Sequence, residues 1–315
     1  MSLVSNNSKP ACLLCGNSDC HVVDQLNGFQ LRELWNIANY EFTIEAWGAI
    51  EEKTAVDLLE CQDCRFRYFD PKFSGNEAFY RQIEREGYYC PGRPEFDRTA
   101  VLAKDRGLRR VLDVGCGSGF FLDQAREAGC ETNGLELNTV AADKARAKGH
   151  RVFSQLLHEL NRDETGGGFD LITLFQVLEH VSHPVTVMKD AARFLNPGGI
   201  IVVTVPGAEG ANRLCPWNPY DWPPHHTSRW RRTDLRQVAV QAHLKLVKAD
   251  GDVLVGSWIE QLWLLHNQVA PLLGKNPHAG GAAVPKMLSL IYRKASLKHI
   301  FPHWGASIYG YFQKD

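Results

Sequence analysis

Between Arg110 and Pro206 the chain alternates short runs of aliphatic and β-branched residues with longer stretches whose apolar positions recur at helical spacing. Arg110 to Val114 reads as a strand, Phe120 to Ala128 as a helix and Thr132 to Leu137 as a second strand. Val140 to Lys148 predicts a helix, Val152 to Ser154 a short strand, Phe169 to Leu174 a buried strand and Val185 to Leu195 a further helix. Asn196-Pro197-Gly198-Gly199 should stop that helix ahead of the β-branched strand Ile200 to Val205, which ends at Pro206. Strands alternating with helices of this length imply parallel pairing through right-handed crossovers, hence an α/β sheet flanked by helices.

The flanks read differently. Up to about Pro71 the text is irregular, with short strand-like runs at Ala55 to Glu60 and Phe66 to Phe69. Asn76 to Ala103 turns helical and aromatic, through Phe79, Tyr80, Tyr88 and Tyr89. After Pro206, Gly207 to Arg231 is a connection rich in Trp, Pro, His and Asn, too long to be mere punctuation. A helix is expected at Thr233 to Ala242, a strand at Leu244 to Lys248 and an apolar helix at Trp258 to Leu273. A Gly/Pro/Ala linker from Gly274 to Pro285, a helix from Lys286 to Ala295 and a strand from Ala306 to Phe312 follow. This pattern suggests two parts, residues 1–75 and residues 76–315, with a helical insertion at about 257–300 in the second.

Composition narrows the function classes. With 315 residues, 44% hydrophobic and 23% charged, the chain has the make-up of a globular protein. Thirty-five Lys and Arg against 36 Asp and Glu leave a formal charge of -1, which gives no electrostatic case for a nucleic-acid partner. Met1 to Pro10 lacks the apolar core of a signal peptide, and no apolar run approaches the roughly 18 residues of a membrane span. The expectation is a cytoplasmic protein with no membrane contact.

Asp113-Val114-Gly115-Cys116-Gly117-Ser118-Gly119 carries the first candidate chemistry. A strand running through a glycine-rich turn into a helix lets the backbone approach a nucleotide-like ligand closely. The dinucleotide version spaces its glycines G-x-G-x-x-G, whereas here the third falls one position early and Phe120 sits where that version needs glycine. The arrangement resembles motif I of the class I S-adenosylmethionine methyltransferases. Gly134-Leu135-Glu136, with Glu136 17 residues after Gly119, is similar to that family's second strand end, and Phe169-Asp170-Leu171-Ile172 and Leu195-Asn196-Pro197-Gly198-Gly199 also resemble it in order. The resemblance implies a Rossmann-like sheet binding S-adenosyl-L-methionine. It implies that Gly115, Cys116, Gly117, Gly119 and Phe120 meet the methionine part, that Asp113 supports the loop or reaches the amino group through water, and that Glu136 accepts the ribose hydroxyls beside Leu137. Gln155 stands where the family often has an acid near the adenine, and Gln176 would lie beside the methionine end. Tyr80, Tyr88 and Tyr89 precede the core where relatives fold an aromatic segment over the cofactor; they equally suit a core.

Acceptors in open α/β sheets lie beyond the carboxyl ends of the strands, which directs attention to Gln176 to His180 and to Gly207 to Arg231. His180, in a Glu179-His180 pair similar to that of many relatives, is the first candidate base, because imidazole titrates near neutrality. His225 and His226, among Trp217, Tyr220, Trp222 and Trp230, are the second candidates. Some ubiquinone-pathway and small-RNA methyltransferases hold a divalent metal with a Glu-x-x-Glu-His run at the first position. Gln176 replaces its first Glu here, and a neutral amide is a poorer ligand for a hard cation, so that metal is not expected. Trp258 and Trp263 would close a pocket or form a homodimer surface.

Nine cysteines include two pairs, Cys12-Leu13-Leu14-Cys15 and Cys61-Gln62-Asp63-Cys64. Four thiolates on two turns meet the requirement of a closed structural Zn²⁺ site, although the 45 residues between the pairs exceed compact zinc-ribbon spacing. A surface iron–sulfur cluster would use the same four ligands. A pair of Cys-x-x-Cys turns ahead of this core resembles the C-methyltransferases of nucleotide-linked deoxysugars, which run longer at the C-terminus. The expectation is methyl transfer to O or C of a small-molecule acceptor, such as a sugar or natural-product intermediate. The contrasting readings are a zinc-knuckle RNA methyltransferase and a non-catalytic S-adenosylmethionine-binding protein.

Overall fold

The computed structural model describes residues 9–84, 88–252, 256–274 and 306–314. The first part of the chain is more ordered than its text suggests. It runs β1 (Cys20–Asn27), α1 (Gly28–Ile37), α2 (Ile44–Trp47), β2 (Ala55–Cys61) and β3 (Arg67–Tyr68). β1 is hard to read because Val22 and Val23 stand side by side and both are exposed, which breaks the alternation of a half-buried strand. α1 is marked by a reciprocal cap: the Asn27 side chain accepts from the Gln30 N–H, and the Gln30 side chain accepts from the Asn27 N–H. Its buried face is Leu31, Leu34 and Trp35.

Two helices, α3 (Glu77–Ile83) and α4 (Pro94–Asp105), lead into the alternating region. There β4 (Arg110–Val114), α5 (Phe120–Glu127), β5 (Glu131–Leu135), α6 (Thr139–Ala147) and β6 (Arg151–Phe153) follow the expected order within a residue or two. The short α7 (Arg162–Thr165) precedes β7 (Phe169–Phe175), α8 (Pro184–Phe194) and β8 (Leu195–Pro206). Asn196 to Gly199 is not a break between helix and strand. Leu195 already pairs with Phe169, and pairing resumes at Leu171 with Ile200, so the four residues bulge out of one continuous β8. The rest comprises β9 (Ser228–Arg229), α9 (Arg232–Gln241), β10 (Leu244–Gly251), α10 (Gly256–Leu272) and β11 (Ser307–Lys314). The expected linker beyond Gly274, the helix at 286–295 and the side chains of Trp258 and Trp263 lie outside the described residues.

Seven strands form one sheet in the order β6-β5-β4-β7-β8-β11-β10. β4 to β8 pair in parallel, and β11 runs antiparallel to both neighbours. The order reverses at β4, which has β5 on one side and β7 on the other, and the carboxyl ends there open the crevice where such sheets bind ligands. This is the Rossmann-like architecture expected from the text. The second sheet has the order β1-β2-β3-β9, and its last strand comes from the connection after β8. Its core is shared as well. Cys61, Phe66 and Tyr68 pack in one cluster with Val203, Val205 and Trp230, while Leu34, Trp35 and Phe69 pack with Trp217 and Trp222. The long connection is therefore an interior segment that joins the two sheets.

Candidate active site

A cleft of about 1700 Å³ opens at the carboxyl ends of the parallel strands. Asp113, Gly115, Cys116 and Phe120 line it from the β4–α5 turn, and Glu136, Leu137 and Gln155 from the ends of β5 and β6. Gln176, Tyr88, His180, His225 and His226 line the other side. Gly117 and Gly119 lie behind this surface rather than on it.

The glycine turn is held by backbone bonds. The N–H groups of Gly115 and Cys116 both donate to the Leu135 carbonyl, at 2.8 and 3.0 Å. Gly117 has a φ of +52°, and a Cβ there would come within 2.5 Å of the Tyr89 ring, so only glycine fits between the turn and that aromatic. Glu136 spans the turn: one carboxylate oxygen accepts from the Gly117 N–H at 2.8 Å and the other from the Asn138 N–H at 2.8 Å. Burial raises its pKa against those bonds. Asp113 is also buried and accepts from the Thr173 hydroxyl at 2.7 Å. Burial pushes its carboxyl up to about 7, the Thr173 hydroxyl opposes the shift and the Glu136 charge adds to it. Two buried carboxyls beside a backbone cradle suit a cationic, ribose-bearing ligand. Gln155 is half-buried, with its amide 3.4 Å from Glu164.

The opposite wall is assembled from three separate segments. His180 follows β7, at a turn begun by Gln176 in the left-handed conformation (φ +55°). The Gln176 amide donates to the hydroxyls of Thr204 and Ser307. His225 and His226 come from the long connection and stack at 4.5 Å between ring centroids, and His180 meets them edge-on at 4.6 and 4.8 Å. Both loop histidines are nine-tenths or more buried. Burial lowers the pKa of all three, that of His180 to about 4, although its bond to the His225 carbonyl opposes the shift. The Tyr80 hydroxyl lies 3.3 Å from His180 Nδ1 and the Tyr88 hydroxyl 3.3 Å from His225 Nε2. The aromatic segment thus meets both walls, Tyr89 the glycine turn and Tyr80 and Tyr88 the imidazoles.

Two acids on these walls were not singled out for roles by the text. Glu84 accepts from the Tyr89 hydroxyl at 2.7 Å and from the Asn138 amide, which ties the aromatic segment to the end of β5. Glu179 is 1% exposed and has no hydrogen-bond partner for either carboxylate oxygen among the described residues. Burial pushes its carboxyl up to about 8. Glu84 has no sequence signal, and Glu179 had only its place beside His180.

Away from the cleft, Cys12, Cys15, Cys61 and Cys64 converge, with all four sulfurs within 4.8 Å of one another. Cys12 and Cys64 lie 3.5 Å apart, as do Cys15 and Cys61. A tetrahedral ion with bonds of about 2.3 Å places its sulfurs about 3.8 Å apart, so the four thiols fit one such ion. Cys20, at the start of β1, is outside the cluster. Among the described residues no helix is long and apolar enough to cross a membrane.

Comparison with known proteins agrees with this geometry. Over 145 residues the chain is 29% identical to a ubiquinone biosynthesis O-methyltransferase of Alkalilimnicola ehrlichii, covering 39% of this chain and 59% of that protein. It is 30% identical over 145 residues to the protein of the same name from Methylococcus capsulatus, covering 39% and 61%. The chain thus spans about three fifths of the length of these curated relatives. Among solved structures it is similar to an S-adenosylmethionine-dependent methyltransferase from Clostridium acetobutylicum, with 11% identity, 70% and 90% coverage and a TM-score of 0.44. The model of one family, described as a methyltransferase domain, matches residues 82–249, more than half of the chain and the whole of the cleft's strand-end walls from β4 to β8. By its fold, its glycine turn and this match, the chain belongs to the methyltransferase domain family.

Proposed function

We propose that this protein transfers the methyl group of S-adenosylmethionine to an oxygen or carbon of a small-molecule acceptor. The observation that carries the reading is the cradle at the switch point of the sheet, where Gly117 is pinned between Tyr89 and the Glu136 carboxylate and Asp113 is buried behind it. When bound, S-adenosylmethionine supplies a methyl on a sulfonium, whose carbon–sulfur bond breaks with its electron pair going to sulfur. Glu136 would hold the ribose, with Leu137 and Gln155 around the adenine. The Gly115–Gly119 turn would cradle the methionine part, with Asp113 facing its positive charge and Gln176 beside it. Tyr88 and Tyr89 close this region from water. The acceptor would sit against the imidazole cluster, where His180, His225 or His226 takes the proton that the acceptor gives up. Their lowered pKa values keep these rings neutral at physiological pH, with a lone pair facing the acceptor, and make each a weaker base than a free imidazole.

In this reading residues 1–75 form the zinc-bearing part and residues 76–315 the methyltransferase part. Zn²⁺ at the four cysteines would organise β2, β3 and, through their pairing, β9 just beyond His226. The names of the relatives, O-methyltransferases, favour an oxygen acceptor; a sugar acceptor rests on the cysteine pairs alone. Titration calorimetry with S-adenosylhomocysteine tests the core of the reading. One site per chain is the expected result, and no measurable heat at millimolar protein would sink it. Equal, salt-sensitive affinity for any RNA would favour an RNA acceptor instead.

A further inference from the structure

The imidazole cluster is built in a way that acid–base chemistry alone does not require. One ring nitrogen each of His180, His225 and His226 lies within 4.8 Å of the others. In each ring Nδ1 faces an acceptor. His180 Nδ1 is 2.8 Å from the His225 carbonyl, His225 Nδ1 is 2.9 Å from the Tyr220 carbonyl and His226 Nδ1 is 3.4 Å from an Asp221 carboxylate oxygen. Oxygens that can only accept place the proton of each neutral imidazole on Nδ1, which leaves Nε2 with a bare lone pair. Glu179 adds a buried carboxylate with two unpartnered oxygens, one of them 3.8 Å from His180 Nε2. Among the described residues the hydroxyls of Tyr80, 3.3 Å from His180 Nδ1, and of Tyr88, 3.3 Å from His225 Nε2, face these groups, the Arg93 charge acts on Glu179 and His180, and Glu179 offers both oxygens as acceptors once it ionises.

Such a set of lone pairs in a buried space calls for a cation. Metal-bound histidines almost always donate their second ring N–H to a carbonyl or carboxylate, which fixes the tautomer and the ring plane. His180 and His225 already have that partner, and an Asp221 carboxylate oxygen lies 3.4 Å from His226 Nδ1. A tetrahedral ion with nitrogens at about 2.1 Å needs them about 3.4 Å apart, so the rings, each with one nitrogen within 4.8 Å of the others, would close in on the ion. We propose that His180, His225 and His226 bind a divalent first-row transition ion through Nε2, with Glu179 supplying the compensating carboxylate. Three imidazoles and a carboxylate suit zinc, iron, cobalt or nickel rather than magnesium. Gln176 takes no part, because its amide is committed to Thr204 and Ser307. The ion sits on the cleft wall, so its open position selects acceptors with a hydroxyl or enolisable keto oxygen able to bind it. This last clause rests on the methyltransferase reading; the metal site does not, and an ion held on all three Nε2 atoms replaces the imidazoles as the group that helps the acceptor lose its proton.

The test uses the full chain with its cysteine cluster loaded with zinc, titrated with Co²⁺ and followed by absorption and by metal content after dialysis. The expected result is one saturable Co²⁺ per chain with d–d bands of nitrogen and oxygen ligation and no thiolate charge-transfer band. His180→Ala and His226→Ala should each weaken it by about 10-fold or more, and Asp221→Asn by about 10- to 100-fold, while His183→Ala leaves it unchanged. Asp221→Asn keeps all three imidazoles and serves if a histidine variant fails to fold, with S-adenosylhomocysteine affinity as the check on folding. No saturable uptake, or uptake indifferent to these substitutions, would overturn the site. A chain that binds S-adenosylhomocysteine but no Co²⁺ loses this site and keeps the methyltransferase reading; the reverse result does the opposite.

Discussion

On one side of the cleft the glycine turn and both carboxyl groups lie within the 24 residues from Asp113 to Glu136, with Leu137 and Gln155 beyond them, and the turn is backbone held by its own neighbours. On the other side Tyr80, Tyr88, Glu179, His180, His225 and His226 come from segments spread over 147 residues. Those residues meet only because the connection after β8 folds inward and lends β9 to the second sheet. The first wall is a local motif whose geometry follows from two adjacent parallel strands. The second is a tertiary product, held by aromatic packing and by a sheet that the cysteine cluster anchors. Binding a common cofactor can be done with a portable piece of chain. Selecting an acceptor requires side chains that are free to differ.

The comparison can be broken most forcefully at the cysteines. Cys61→Ser should abolish zinc uptake, which is worth roughly 10–16 kcal/mol in small zinc-dependent folds, and loosen the β1-β2-β3-β9 sheet. If the walls are independent, S-adenosylhomocysteine still binds while turnover collapses; metal analysis and calorimetry on the same sample decide. An iron absorption spectrum in the wild type would replace zinc with a cluster. Next in size, His180→Ala should lower kcat by about 10²- to 10⁴-fold and change S-adenosylhomocysteine affinity by less than about twofold. Parallel loss of both in steady-state and binding measurements would make His180 a structural residue shared by the walls.

Glu136→Ala should do the converse, weakening S-adenosylhomocysteine by on the order of 1.5–3 kcal/mol in calorimetry with little effect on Co²⁺ uptake. The smallest effect concerns pH. Asp113, pushed up by burial to about 7, has a folded pKa above its unfolded one. Its contribution to stability is therefore fullest below the unfolded value and is lost as pH rises through about 7. Without ligand, Asp113→Asn should accordingly raise Tm more at about pH 8 than at about pH 5. A cationic ligand favours the ionised form, so wild-type affinity for S-adenosylmethionine should rise up to about tenfold between about pH 6 and 8 and stay flat in the variant. A flat wild-type profile would mean that Asp113 does not face the ligand's charge.

Legibility in the text followed the same division. β4, β7 and β8 were readable because each holds a run of apolar residues bounded by turn residues, α5, α6 and α8 by their helical spacing and β5 and β6 by their place between helices, while the four-residue α7 was not foreseen. The bulge at Asn196 to Gly199 was misread as a break, because Pro and Gly signal the end of a helix equally well whether or not the next strand has already begun to pair. β1 and α1 were missed since adjacent exposed valines and a ten-residue helix leave too little period to detect. Glu84 was invisible, as its partners Tyr89 and Asn138 are meaningful only once α3 lies over the end of β5.

By itself the sequence determined the sheet, the glycine turn with its acidic partner at Glu136, and the pairing of thiols into one set of four. Each depends on short-range order: strand period, turn chemistry, and the two-residue gap that puts both sulfurs of a turn on one side. Only the tertiary structure decided that two loop histidines are buried beside His180, that the Nδ1 atoms of the three rings face oxygen acceptors, and that neither Glu179 oxygen has a hydrogen-bond partner among the described residues. Those facts depend on desolvation and on which groups fill each other's hydrogen-bonding capacity. Both are set by contacts between distant segments, and no spacing along the chain encodes them.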